Sequence, residues 1–209
     1  MAAAAIAQGL KVAVIDHAAT CPHAPPGALV IAGVDLTDPD AAEAALEKAH
    51  AGLGGLDALL NIAGGFRWET VQDGSPQSWT DLYRLNVQTT LNASRAAIPY
   101  LKASAAGRIV NVGAAGGLKA ALGMGAYAAS KSGVHALTQA LAEELKGEGI
   151  TVNAVLPSII DTPQNRADMP KADPAKWVAP ADLAAVILFL ASEEARAVTG
   201  ALVPVTGKA

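Results

Sequence analysis

The sequence predicts an α/β fold, a doubly wound parallel sheet in one domain spanning residues 1–209. Two observations predict it. Apolar runs of strand length alternate along the chain with alanine-rich stretches of helical spacing, and the runs are apolar throughout, as a sheet covered on both faces requires. A third observation bears on function: polar residues stand just after the strand ends, where open α/β sheets bind their ligands.

Six strands are expected, at residues 11–15, 29–34, 57–61, 108–112, 151–155 and 201–205. Helices are expected at 39–51, 76–101, 126–146 and 180–191, with Asp38 and Ser75 as N-caps. The proline-rich stretch 21–27 reads as a surface connection. The segment 158–178 is longer and more polar than a simple turn needs, which marks it as a functional loop.

A chain of 209 residues, 52% hydrophobic and 16% charged, can bury one sizeable core. Its net charge of -4 is spread without a basic block, which argues against a nucleic-acid or anionic-membrane partner. No apolar run is long enough to span a bilayer, and the opening segment lacks a basic leader. Cys21 has no second cysteine to pair with or to share a metal with, so no metal site is expected and a reducing cytoplasm fits best.

After the first strand comes Asp16, whose carboxylate suits the ribose hydroxyls of an adenosine and repels a 2'-phosphate, favouring NAD(H) over NADP(H). Read alone, such a residue is more often a strand-terminal turn aspartate. Asp35 and Leu36 follow the next strand, where they could flank an adenine. After the third, Asn61, Ala63 and Gly64 combine a strand-bracing amide with small residues that let a backbone approach a flat ligand. Tyr127 and Lys131 stand one helical turn apart on one face, where an ammonium can stabilise a phenolate and lower its pKa. An isolated pair of this spacing is usually only a surface feature.

The segments NIAG (61–64), LNVQTT around Asn86, GRIVNV (107–112), YAASK (127–131) and VNAVLPSIIDT (152–162) resemble, in order and spacing, the short-chain dehydrogenase/reductase family. The resemblance covers nearly the whole chain. It implies a Rossmann-type fold, hydride transfer to or from a nicotinamide, Tyr127 as general acid or base and Lys131 holding ribose while lowering the tyrosine pKa. It further implies that Asn86 supports a proton relay and that Pro157, Ile160 and Thr162 face the nicotinamide.

Two departures from the family pattern stand out. Members that reduce carbonyls usually carry a serine where this chain has Ala114, and losing such a hydrogen bond costs roughly 100 to 1,000-fold in rate. Alanine there, the loop at 161–180, AGGF at 63–66 and Gly123-Met124-Gly125 resemble the dihydropteridine reductase branch, whose electron-poor ring needs no carbonyl polarised. Phe66, Trp68 and Trp177 could offer faces to such a ring, although Trp177 could equally pin the loop from the core. The second departure is at the amino terminus, where the family's first strand and GxxxGxG turn are missing. Since that strand lies mid-sheet, roughly 20 to 30 upstream residues are expected to encode the unit; the 209 residues read literally would instead leave two edges facing each other unpaired and dinucleotide affinity low.

The expected activity is NADH-dependent reduction of a small-molecule substrate, a quinonoid dihydropterin or quinone. The alternatives are a general short-chain alcohol or ketone dehydrogenase and a non-catalytic member acting as an interaction subunit. A homodimer or homotetramer is expected from the family's helix packing.

Overall fold

The computed structural model describes residues 1–208. All six strands form, with changed ends: β1 Ala13–Ile15, β2 Leu29–Ile31, β3 Ala58–Asn61, β4 Arg108–Val112, β5 Thr151–Pro157 and β6 Leu202–Val205. The helices are α1 Ala2–Ala7, α2 Pro39–Leu53, α3 Pro76–Tyr83, α4 Thr89–Ala103, α5 Gly125–Leu145, α6 Pro163–Asp168 and α7 Pro180–Leu190.

β2 is shorter than the apolar run suggests because Gly33, at φ +73°, turns the chain immediately after it. The caps form as expected. The Asp38 carboxylate accepts from the N–H groups of Asp40 and Ala41, and the Ser75 hydroxyl accepts from Gln77. The expected continuous helix 76–101 is instead two helices, joined by one wide π-helical turn at Arg84–Gln88 in which Thr89 N–H reaches back to the Arg84 carbonyl. Apolar spacing on either side stays helical, so periodicity does not report such an inserted residue.

Every strand pair is parallel, but the sheet is in two pieces: β1 pairs only with β2, and β3-β4-β5-β6 form the other. In the larger piece Asn61 aligns with Asn111, and Asn111 with Ala154. β5 is buried along its whole length. Alternation on the strands divides the core between two faces. Ile109 and Val152 point into a cluster with Leu46 of α2, Ala97 and Leu101 of α4 and Leu141 of α5. Val110 and Val155 of the same two strands point into the opposite cluster with Leu183, Ile187 and Leu190 of α7 and Met1 before α1. Helices thus cover both faces, which is the doubly wound arrangement.

What joins the two pieces is side-chain packing. Ile15 of β1 rests against the first cluster and also against a small third one, Ile31, Ala45 and Ala49. α2 lies across both, with Leu46 in one cluster and Ala45 and Ala49 in the other. No strand hydrogen bonds cross between β1 and β3.

Candidate active site

The strongest local geometry lies where α5 begins beneath the ends of β3 and β4. Asn86 occupies the π-helical turn and is fully buried. Its Nδ2 donates to the Gly65 carbonyl at 3.1 Å and to Ser130 Oγ at 2.9 Å, and its Oδ1 accepts the Gly65 N–H at 2.9 Å. One amide side chain therefore clasps both polar groups of a single residue in the AGGF segment. The wide turn leaves carbonyls without ordinary helical partners, and hydroxyls fill in: Thr90 Oγ1 donates to the Asn86 carbonyl at 2.8 Å and Thr89 Oγ1 to that of Leu85 at 2.6 Å.

Gly64 stands against this group. A Cβ there would lie 2.6 Å from Asn86 Oδ1 and 3.3 Å from Lys131 Nζ, so only glycine brings this backbone so close. Asn61 braces the strands from below, its Nδ2 donating to Asn111 Oδ1 at 2.8 Å and to Ser94 Oγ at 3.0 Å, while Asn111 donates on to Thr138 of α5. Ala63 and Gly64 themselves are exposed.

Lys131 is buried, and its Nζ donates to the Val112 carbonyl at 2.8 Å. Burial brings its pKa down to about 8, so near neutral pH it is charged only at a cost in solvation. Tyr127 is half-buried, one turn earlier, and its ring meets that of Phe66 edge to face at a centroid distance of 4.9 Å. Burial raises its pKa above the ordinary 10.0. The expected lowering by lysine is therefore reversed: desolvation of the phenol raises its pKa, and the ammonium is engaged with Val112. A phenol so placed keeps its proton near neutral pH.

Ala114 is buried in the loop after β4 and offers only a methyl group. Gly116, two residues on, approaches the Tyr127 ring, where an added Cβ would lie 3.7 Å away. Phe66 and Trp68 are both 58% exposed, available to a ligand, whereas Trp177 is 8% exposed and belongs to the core. Trp68 is held by its indole N–H, which donates to the Leu122 carbonyl at 3.0 Å.

The remaining site residues lie at the carboxyl ends of the other strands. Asp16 and Asp35 are exposed after β1 and β2 and are brought together by the Val34 N–H donating to the Asp16 carbonyl. Asp16 accepts the Ala18 N–H at 2.8 Å, a turn role that leaves its second oxygen free. Asp35 accepts both the hydroxyl and the N–H of Thr37, which hold its pKa below the usual carboxylate value. Leu36 packs on the first core cluster and turns its carbonyl to Asn92. Pro157 is buried at the end of β5, Ile160 packs on the second cluster, and Thr162 caps α6 by accepting the Asn165 N–H at 3.1 Å. The expected functional loop at 158–178 is thus partly helical, tied by Arg166 reaching both oxygens of Asp161.

The chain matches the short chain dehydrogenase family over residues 1–173. It belongs to that family. As a short-chain dehydrogenase it is a nicotinamide-dependent oxidoreductase. It is 34% identical, over 99% of its own length and 98% of the relative's, to a protein of Xanthobacter autotrophicus named inactive 2-(S)-hydroxypropyl-CoM dehydrogenase 2. It is 34% identical to acetoacetyl-CoA reductase of Acinetobacter, over 83% of this chain and 73% of that one. Against 3-oxoacyl-[acyl-carrier-protein] reductase FabG of Vibrio cholerae it is 31% identical, over 83% and 75%. Among solved structures it resembles carveol dehydrogenase of Mycobacterium avium in complex with NAD (TM-score 0.82, 28% identity, 95% of this chain and 88% of that one). It also resembles ligand-free aldohexose dehydrogenase of Thermoplasma acidophilum (TM-score 0.87, 27% identity, 99% and 87%).

Sequence reasoning passed over Ser130, which receives the Asn86 amide, the backbone of Gly65, and His135. Helical spacing held the signal for His135, since it continues the face of Tyr127 and Lys131 by one further turn. No helix among the described residues is long and apolar enough to cross a membrane, and no group of three or more His, Cys, Asp or Glu among them could hold a metal ion.

Proposed function

We propose that this short-chain dehydrogenase reduces an electron-poor ring, a quinone or quinonoid dihydropterin, with NADH favoured over NADPH and Tyr127 delivering the proton. The observation that carries this reading is Ala114: buried beside the tyrosine loop, it supplies no hydroxyl to a substrate carbonyl. A flat ring needs none there, and the exposed Phe66 and Trp68 offer it aromatic faces.

The residues present suit a dinucleotide at both its ends. The Gly64 cradle, closed to any larger residue by Asn86 and Lys131, admits a flat group, and Lys131 holds a ribose. Asp16, with its free oxygen, takes the adenosine ribose, Asp35 and Leu36 border the adenine, and Asn61, Ala63, Pro157, Ile160 and Thr162 line the path of the cofactor. Between these ends the 209 residues contain no glycine-rich GxxxGxG turn for the pyrophosphate. A bound reduced nicotinamide supplies the hydride. Tyr127, protonated near neutral pH, supplies the proton, and Asn86 holds the Gly65 backbone in place beside it.

A second reading, reduction of a 3-oxoacyl group, is favoured by the likeness to acetoacetyl-CoA reductase and FabG. The relative named inactive keeps a third, a non-catalytic subunit, in view. Steady-state assays with NADH and NADPH against an ortho-quinone, a quinonoid dihydropterin and acetoacetyl-CoA, in the wild type and Ala114→Ser, separate the three. We expect serine to raise acetoacetyl-CoA turnover by roughly 10- to 100-fold and quinone turnover by less than about threefold. A wild type that prefers acetoacetyl-CoA favours the second reading, and absence of both turnover and NADH or NADPH binding favours the third. A homo-oligomer belongs to the same proposal, supported by the exposed Trp79, Tyr83, Leu85 and Leu91 on α3, the π turn and α4; light scattering tests it.

A further inference from the structure

We propose that His135 is a positioning residue of this site: in its neutral form it holds the backbone of the 113–117 loop against α5, and protonation releases that loop.

His135 is 5% exposed, one turn beyond Lys131 and two beyond Tyr127. Its Nε2 accepts the backbone N–H of Ala114 at 3.3 Å. A backbone amide only donates, so Nε2 carries the lone pair and the ring proton resides on Nδ1. The ring is closely enclosed. A Cβ on Gly113 would lie 2.6 Å from Nε2, and one on Gly117 would lie 2.6 Å from Cε1. Neither glycine has a positive φ; the imidazole is the tightest contact a Cβ would make at either position, with Lys131 next at Gly117 and Leu156 next at Gly113.

The loop leaves β4 held at three successive backbone groups. The Val112 carbonyl accepts from Lys131 Nζ at 2.8 Å, the Gly113 N–H donates to the Val155 carbonyl at 2.9 Å, and the Ala114 N–H donates to His135. From there it runs to Gly116, against the Tyr127 ring. Release at Ala114 therefore alters the wall beside the proton donor.

Protonating His135 would turn Nε2 into a donor facing another donor. Lys131, one turn away, opposes the added charge, and burial opposes it more, so both hold the pKa below the ordinary 6.5. The other elements packed on the ring bring no ionisable group: 112–117 is Val-Gly-Ala-Ala-Gly-Gly and β5 is Thr-Val-Asn-Ala-Val-Leu-Pro. Lys119, the next charged residue on the loop, is exposed.

The test is a pH titration from about pH 8 to 5 of the full chain, following the His135 ring nitrogens and the Ala114 amide by ¹⁵N NMR. We expect the Nδ1-protonated tautomer, a midpoint below that of an exposed histidine, and an Ala114 amide shift with the same midpoint. That shift should vanish in His135→Gln, which offers a non-titrating acceptor, and in His135→Leu, which keeps the bulk. In an NADH-dependent assay with an ortho-quinone, kcat should fall about tenfold per pH unit below the midpoint in the wild type. In His135→Gln that acid limb should be absent, while KM changes little. An Nε2-protonated tautomer, or an Ala114 amide indifferent to the His135 titration, overturns the proposal. The kinetic arm rests on the reading of Tyr127 above and the NMR arm does not, so an inactive chain refutes that reading and leaves the NMR result to decide this one.

Discussion

The two pieces of the sheet differ in what holds them. β5 is buried along all seven of its residues between two parallel partners, while β1 and β2 are three residues each and only Ile31 of β2 is buried. The larger piece is tied by ladders and by the buried chain from Asn61 through Asn111 to Thr138. The smaller one is tied by Ile15 and α2 packing across the divide. The residues proposed for catalysis gather at the larger piece, where positions are determined by many contacts. The carboxylates proposed for the adenosine stand on the smaller. Precision is needed where a proton moves, and a selectivity charge tolerates more play.

The contrast can be broken most directly at Tyr127. Tyr127→Phe should lower kcat by roughly 100- to 10,000-fold while leaving the melting temperature nearly unchanged. An unaltered rate would remove the four-stranded half from the chemistry. Stability offers the next test. Ile109→Ala, at a fully buried position in the first cluster, should cost about 2 to 5 kcal/mol in denaturant unfolding, whereas Val14→Ala in half-exposed β1 should cost about 1 kcal/mol or less. Equal costs would show the two pieces to be one cooperative unit.

Lys131→Met should sharpen the picture with opposite signs for activity and stability. A lysine whose pKa falls from 10.5 to about 8 on folding binds its proton less tightly in the native state. Its stability contribution is full above 10.5 and is lost as pH falls toward 8, so at neutral pH the charge costs roughly 3 kcal/mol. The methionine variant should be inactive, more stable by up to roughly that amount at pH 7, and no more stable above pH 11. Smallest is the effect on the two-stranded side. Asp16→Asn should reduce the preference for NADH over NADPH by roughly tenfold in fluorescence titrations, without altering the unfolding midpoint.

Local sequence was enough for the existence and order of the six strands, because each is a short apolar run ended by a turn, and for the N-caps Asp38 and Ser75, whose chemistry acts within three residues. The Tyr127 and Lys131 pair was legible for the same reason, since one helix places both. What lay outside the sequence depends on groups distant along the chain. The π turn that carries Asn86 to Gly65, the burial that raises Tyr127 and lowers Lys131, and the side of the loop on which Trp177 falls are set by packing between elements. The fold class therefore followed from periodicity alone, whereas the protonation state of the site was decided only in the tertiary structure, because desolvation is a property of the surroundings a side chain acquires on folding.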